Sequence, residues 1–392
     1  MQTTPTQDRT LGVAIIGSGL MAKAHTMAWR NVGAVYGSIP VTPRLVVLCD
    51  ATEDLARDGA MQFGYEKYTT SWEDAVNDPD VDVVDIVTPN WLHQPIAIAA
   101  AKAGKHIWCE KPLALTATGA HDMVEAAEQA GVKTLVGFSF VRNPAVTLAK
   151  QLIEAGEIGD PVSFVGAHSI AAMVDPETPF TWRQERKLAG AGAIGDLGAH
   201  VISIARYLVG DIDMLASTSS IVHPERPLTD GAFGYGEKAD GTAPKRSVEN
   251  DDISLTLMRF ANGAIGTIEA SRVAIPRGWD LSFTLTGTKG AVRFDQQHIY
   301  KLDVALASDG LQQRGFRTLE IGPGHGDFGN LWPIHGANIG NHDLKFFEVH
   351  DLIRAIVDDH PVWPDFREGY EVERVIDAIE EGSATGQWVA LR

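Results

Sequence analysis

From residue 11 to about residue 137, short apolar runs alternate with longer stretches whose apolar positions recur at helical spacing. The runs 11–16, 45–49, 83–87, 106–109 and 134–136 have the length and continuous hydrophobicity of strands buried on both faces, which predicts a parallel sheet. The patterns between them predict helices at 22–31, 52–63 and 95–103. Thr52 is placed to cap the second and Gly64 to close it. Ser71-Trp72-Glu73-Asp74 fits a capping box, and Pro95 and Gly104 bracket the third helix. Strand and helix in alternation point to a doubly wound α/β domain over residues 1–141.

Beyond residue 141 the order changes. Helical patterns at 144–155 and 196–209 precede strand-like runs at 253–260, 264–271, 281–287 and 290–294. Asn262-Gly263 between the first two runs is a hairpin signal. Successive hairpins predict a mostly antiparallel sheet, hence an α+β domain over residues 142–392. Residues 227–250, rich in Gly, Pro and charge, read as a mobile loop. Closing helices are expected at 344–357 and 370–382.

A length of 392 residues fits two domains. With 44% hydrophobic and 21% charged residues the chain falls in the globular class, which excludes disorder. The formal charge of -18 repels phosphate backbones and argues against a nucleic-acid partner. Two cysteines, Cys49 and Cys109, cannot build a disulfide framework, which points to a reducing, cytoplasmic setting. Residues 1–10 are polar and do not read as a signal peptide. No apolar run reads as long enough to cross a bilayer, so no membrane partner is expected.

Gly17-Ser18-Gly19-Leu20-Met21-Ala22 follows the first strand and opens a helix. In this G-x-G-x-x-A pattern the first Gly permits a tight turn, the second lets backbone approach a pyrophosphate, and the small third residue allows close helix–strand packing. The helix N-terminus then meets the pyrophosphate with free N–H groups. Asp50 ends the second strand, where a carboxylate can hold a ribose diol. No basic residue follows it until Arg57, which selects NAD over NADP.

Three further segments carry candidate chemistry. Cys109-Glu110-Lys111-Pro112 lies at the carboxyl end of a sheet strand, where ligands bind; Lys111 there can stabilise a developing alkoxide, or be a surface lysine in a turn. Gly195-Asp196-Leu197-Gly198-Ala199-His200 opens a helix. Asp196 and His200, four apart, share a face distinct from the apolar stripe of Leu197, Val201, Ile204 and Leu208. His200 suits a general base oriented by the carboxylate, or a structural histidine beside a helix cap. Thr88-Pro89-Asn90-Trp91-Leu92-His93 either lines the cofactor crevice or is an ordinary turn. His325, His335 and His342 lack metal-ligand spacing, so no metal is expected. The two cysteines read as small core residues.

Taken together, Gly17-Ser18-Gly19-Leu20-Met21-Ala22 with His25, Thr88-Pro89-Asn90 with His93, Glu110-Lys111-Pro112, and Gly195-Asp196-Leu197-Gly198 with His200 resemble the motifs of the Gfo/Idh/MocA oxidoreductase family, in order and spacing, over nearly the whole chain. The second half, on Trp182-Arg183, Gly315-Phe316-Arg317-Thr318 and Leu331-Trp332-Pro333-Ile334, resembles the branch that oxidises inositols, L-glucose and levoglucosan. The resemblance implies a Rossmann domain, a C-terminal α+β domain on a large open sheet, and a homodimer or homotetramer formed through that sheet. It implies NAD-dependent oxidation of a secondary hydroxyl of a cyclic polyol or sugar. In that scheme Lys111 contacts the reacting hydroxyl, Asp196 orients it, and His200 takes the proton. The Lys111–Pro112 bond is expected to be cis, Glu110 to meet the nicotinamide ribose, and Trp182 and Arg183 to lie near the nicotinamide. Arg142, His168, His335 and Asn338 are the sugar-facing candidates. An NADP-dependent keto- or anhydrosugar reductase and a redox-neutral glycosidase that retains NAD are the alternative readings.

Overall fold

A computed structural model describes residues 9–229, 231, 237–239, 241–275, 278–326 and 328–391. Packing divides the chain into two compact units: Met1–Ala114, Thr118–Ser139 and Gly340–Tyr370 form the first, and Leu115–Ala117, Phe140–Ile339 and Glu371–Arg392 the second. The division in chain order at residue 141 therefore differs from the division by packing, because residues 340–370 return to the first unit.

In the first unit the strands are β1 (Thr10–Ile16), β2 (Thr42–Cys49), β3 (Lys67–Thr69), β4 (Val83–Ile86), β5 (His106–Cys109) and β6 (Thr134–Val136). The helices are α1 (Leu20–Tyr36), α2 (Glu53–Phe63), α3 (Trp72–Asn77), α4 (His93–Lys102) and α5 (Ala117–Ala130). All neighbouring strands run parallel in the order β3-β2-β1-β4-β5-β6. The order reverses between β1 and β4, which opens the ligand crevice of a doubly wound sheet at the strands' carboxyl ends. The predicted parallel sheet is present, with one strand the pattern did not show. β3 is a short, partly polar edge strand without an apolar run.

The caps follow the local chemistry. Thr52 accepts from the Leu55 N–H at 3.3 Å, and Gly64 closes α2 in the left-handed region with φ 79°. Ser71 caps α3 by accepting from Asp74 N, but its own N–H donates to Thr69 Oγ1, so the reciprocal arm of the capping box is replaced by a turn contact. α4 starts at His93 rather than Pro95, since proline is tolerated in a first turn whose N–H groups need no helical partner.

The second unit holds α6 (Pro144–Glu154), β7 (Pro161–Ile170), α7 (Arg186–Ala189), α8 (Ala199–Val209), β8 (Ile212–Ser220), β9 (Glu225–Pro227), β10 (Lys245–Ser247), β11 (Ile253–Phe260), β12 (Ile265–Ser271), β13 (Trp279–Gly287), β14 (Gly290–Asp295), β15 (Lys301–Leu306), β16 (Arg317–Glu320) and α9 (Phe328–Leu331). The chain then forms α10 (Leu344–Asp358) of the first unit, passes along α11 (Phe366–Thr385), and ends in β17 (Val389–Ala390). Nine strands make one sheet in the order β16-β15-β14-β13-β7-β12-β11-β8-β17. It is antiparallel except where β12 runs parallel to β7. The Asn262-Gly263 turn joins β11 to β12 as predicted, with Gly263 at φ 90° and Asn262 Oδ1 accepting from Ala264 N.

Along β11, buried and exposed residues alternate, so one face of the sheet is covered and the other is open. The open face carries Val165, Leu255, Leu257 and Ile265, each 46–60% exposed.

Three expectations change here. Residues 227–250 are not loop throughout: Lys245–Ser247 pairs antiparallel with Glu225–Pro227, and Val248 and Asn250 are buried. The parts of that stretch at Asp230, 232–236 and Asp240 lie outside the described residues. α8 has no solvent face to set against an apolar stripe, because every residue except Arg206 and Tyr207 is buried. Finally, Arg186–Val209 is long and apolar enough to cross a membrane, contrary to the sequence reading, but its most apolar window is 89% buried inside the protein. It is the core of a sheet-and-helix unit.

Candidate active site

The first unit builds a cradle at the end of β1. Gly17 takes φ 109°, and a Cβ there would lie 2.8 Å from the Val87 carbonyl oxygen. Only glycine fits that turn. A Cβ on Gly19 would meet nothing within 4 Å, so the backbone there is open to a ligand. Gly19 is the N-cap of α1 and offers no side-chain cap, and no acidic residue sits in the first turn. The helix start is thus free to take an anion. Leu20 is exposed and Met21 half-buried at this lip.

Asp50, just past β2, accepts from Ser18 N at 2.7 Å and Ser18 Oγ at 2.6 Å. The carboxylate is therefore fixed beside the glycine turn, where a ribose diol can add further hydrogen bonds. Past β4, the Thr88 Oγ1 is buried and makes no hydrogen bond among the described residues, as expected of an atom that a ligand completes. Pro89 is half-buried and Asn90 buried beside it. These groups fit a dinucleotide.

His93 is fully buried. Its Nδ1 lies 2.9 Å from the Pro112 carbonyl oxygen and its Nε2 2.9 Å from that of Thr88. The ring ties the Thr88 and Glu110-Lys111-Pro112 loops together. Burial pushes the imidazole below its ordinary range despite those carbonyls. A neutral ring donates to only one of them.

Lys111 is half-buried at the end of β5, and its bond to Pro112 is cis, as expected. Glu110 is 5% exposed. Its Oε1 accepts from Lys345 Nζ at 2.7 Å and from His25 Nε2 at 2.9 Å. Burial pushes this carboxyl up, but Lys345, His25 and Lys111 overrule it and hold it well below the carboxylate range. His25 Nδ1 reaches Asp85 Oδ1 at 2.8 Å, and Trp29 Nε1 donates to Asp85 Oδ2 at 2.8 Å. Burial alone would lower the His25 imidazole; Asp85 and the two hydrogen bonds reverse that, and it is raised.

The sequence reading missed Asp85, Lys345 and Glu348. Each leaves a signal, a charge inside an apolar run: Val83-Val84-Asp85-Ile86 and Leu344-Lys345-Phe346-Phe347-Glu348. Cys49 and Cys109 are buried thiols, and burial together with Asp50 pushes Cys49 up to about 12.

In the second unit, Ile194–Gly198 is a π-helical turn leading into α8. Such turns recur at functional sites. Asp251 shapes this one: its Oδ1 accepts from Gly192 N at 2.8 Å and its Oδ2 from Ile194 N at 3.0 Å. Asp196 is half-buried within the turn and does not occupy the N-cap of either helical segment. His200, 7% exposed, opens α8 one turn later, with Phe140 edge-on at 4.5 Å and the His168 ring at 5.6 Å. His168 Nδ1 lies 3.0 Å from the Leu197 carbonyl oxygen, which assigns the ring proton to Nδ1.

Arg183 stacks on Trp182 at 4.5 Å. Arg142 is half-buried after Phe140. His335 and Asn338 are exposed, and the His335 ring lies where a Cβ on Gly322 would stand. His325 Nδ1 accepts from Gly322 N at 3.0 Å. Among the described residues, His121, Asp122 and Glu125 on α5 bring ligand atoms within 4.8 Å of one another, all exposed.

Comparison with known proteins decides the family. Residues 11–138 match the oxidoreductase family with an NAD-binding Rossmann fold, and residues 146–293 match the GFO/IDH/MocA C-terminal domain. The chain is 43% identical to levoglucosan dehydrogenase of Pseudarthrobacter phenanthrenivorans over 97% of its length and 98% of the relative's. The chain belongs to the Gfo/Idh/MocA oxidoreductase family. It is also 32% identical to scyllo-inositol 2-dehydrogenase (NAD(+)) of Bacillus subtilis, over 71% of this chain and 72% of that protein. A solved structure of levoglucosan dehydrogenase with NADH and levoglucosan superposes with a TM-score of 0.92 at 41% identity, covering 98% of this chain and all of that one. As a Gfo/Idh/MocA protein the chain is an oxidoreductase, and its first unit is an NAD-binding Rossmann fold.

Proposed function

We propose that this oxidoreductase oxidises a secondary hydroxyl of a cyclic polyol or sugar, an inositol, L-glucose, levoglucosan or a related pyranoside, to the ketone. The observation that carries the reading is the end-to-end likeness to levoglucosan dehydrogenase. The cradle of Gly17, Ser18, Gly19, Leu20 and Met21 would hold the dinucleotide phosphates and Asp50 the ribose. Thr88, Pro89, Asn90, His93, Glu110, Lys111, Trp182 and Arg183 complete the cofactor set, with His93 acting through the loops it ties and Glu110, its carboxylate turned inward to Lys345 and His25 instead of toward a ribose, acting through the Lys111 backbone. When bound, NAD supplies the acceptor for the hydride leaving the carbinol carbon.

The chain's own residues do the rest. The Lys111 ammonium donates to the reacting hydroxyl and stabilises the charge that develops on its oxygen. A ring nitrogen of His200 takes the hydroxyl proton, and Asp196, one turn away, orients that ring. Arg142, His168, His335 and Asn338 would receive the other sugar hydroxyls. The Nδ1–H tautomer of His168 presents Nε2 as an acceptor.

The open, partly apolar face of the nine-stranded sheet supports a homo-oligomer, dimer or tetramer, formed through that sheet. Two buried free thiols accord with the reducing cytoplasm.

The test is a screen of inositols, L-glucose, D-glucose and levoglucosan with NAD and with NADP, read by the absorbance of the reduced nicotinamide. Reduction of NAD by at least one cyclic polyol, and slower reduction of NADP, is expected, because Asp50 meets a 2′-phosphate with like charge. Reduction of NADP alone, or of neither cofactor, contradicts the reading.

A further inference from the structure

Every group in this inference lies in the first unit, and it rests on the dehydrogenase reading. Glu110 immediately precedes Lys111, yet its carboxylate is turned into the interior. There Lys345 Nζ sits 2.7 Å from Oε1, while Oε2 accepts from the Lys111 backbone N–H at 3.2 Å. Lys345 comes from α10, 235 residues further along the chain, and its side chain is 3% exposed. The ammonium also reaches Glu348 Oε2 at 3.0 Å, and Ser139 Oγ donates to that same oxygen at 3.2 Å. The Trp108 ring lies 5.0 Å from Nζ. A Cβ on Gly137 would stand 2.7 Å from Glu110 Oε1, so the wall of this chamber is glycine where the carboxylate needs room.

Burying an ammonium among carboxylates is a poor way to gain stability, since apolar residues of the same volume often do as well or better. What the arrangement does provide is a fixed direction for the Glu110–Lys111 peptide. We propose that Lys345 is a positioning residue for Lys111: it clamps Glu110 Oε1, and Glu110 in turn holds the backbone from which Lys111 departs at the end of β5. Three anchors constrain one carboxylate: Lys345, the His25 ring and the Lys111 N–H. Removing the cation leaves Glu110 held only by His25 and by the Lys111 N–H it is meant to fix.

Lys345→Met keeps most of the unbranched side chain and removes the charge. It is expected to lower kcat about 10²-fold, the scale of a small misplacement of a reacting group. The dissociation constant for NAD, read by fluorescence quenching, changes less than kcat, since the cradle of residues 17–21 and Asp50 stand apart from the clamp. Gly137→Ala keeps every charge but crowds Glu110, and gives the same split in smaller measure.

In a Glu110→Gln background, Lys345→Met lowers kcat no further, because the clamp acts through the carboxylate. Labelling of the Lys111 amine by an acylating reagent, followed by peptide mass spectrometry, changes in both single variants, while exposed Lys23 labels as before. Wild-type kcat or unchanged Lys111 labelling in Lys345→Met overturns the proposal, as does an undiminished loss in the Glu110→Gln background. If Lys345→Met does not fold, Gly137→Ala decides the matter by its own kcat and Lys111 labelling: both change if the clamp operates, and wild-type values in both overturn it. A wild-type protein inactive on every polyol sinks the dehydrogenase reading separately, and the labelling result still decides the clamp.

Discussion

Glu110 shows how much a single side chain depends on what surrounds it. An isolated buried carboxylate would take up a proton; Lys345 and His25 keep this one ionised. Its pKa is lower in the folded than in the unfolded chain. The stability it contributes is therefore fully present above the unfolded value of about 4.5 and is lost as pH falls through the folded value. Thermal melts of the wild type should fall on acidification below about pH 4.5, and Glu110→Gln should flatten that slope. An unchanged slope would mean that Glu110 is not the group being titrated. Glu348 runs the other way: burial pushes its carboxyl up, and Lys345 only partly offsets this.

At this scale the sequence is uneven. Gly17 announces itself because the turn needs glycine there, and Gly19 because a ligand needs close approach to the backbone. Lys345 does not, because its partner is 235 positions away. A charge within an apolar helix says that a partner exists, but not which one.

At the scale of elements, hydrophobic period and cap chemistry carried most of the first unit. Thr52 and Gly64 bound α2 where expected, whereas β3 escaped because a three-residue edge strand has no period to read. In the second unit the hairpin β11–β12 was legible from Asn262-Gly263. The parallel pairing of β7 with β12 was not, since parallel partners share no turn. The π-helical turn at Ile194–Gly198 was equally hidden, because Asp251, from the segment before β11, satisfies its amides.

The facing of β11 was not legible, since Ser254 and Thr256 are buried while Leu255 and Leu257 are exposed, and it leads to a prediction. Leu255 and Leu257 point to the open face. If the proposed oligomer forms through this sheet face, a Leu257→Glu variant should shift the protein toward monomer in light scattering, because it places a charge there. A wild-type molar mass equal to one chain, or an oligomer indifferent to that substitution, would contradict the sheet-face assembly.

For the whole molecule, the family could be read from four short motifs because each is local in the chain. Substrate choice could not, since no motif in the chain names the hydroxyls a pocket would receive. In the proposed chemistry Lys111 stabilises the developing charge, and Asp196 and His200 handle the proton. The most direct test of the account is Lys111→Ala, assayed with NAD and the best polyol while NAD affinity is measured on the same sample. NAD should still bind, held by the cradle of residues 17–21 and Asp50, and turnover should fall by about 10²–10³-fold or more, as when an oxyanion donor is removed. Turnover at the wild-type rate in that variant would contradict the assigned chemistry.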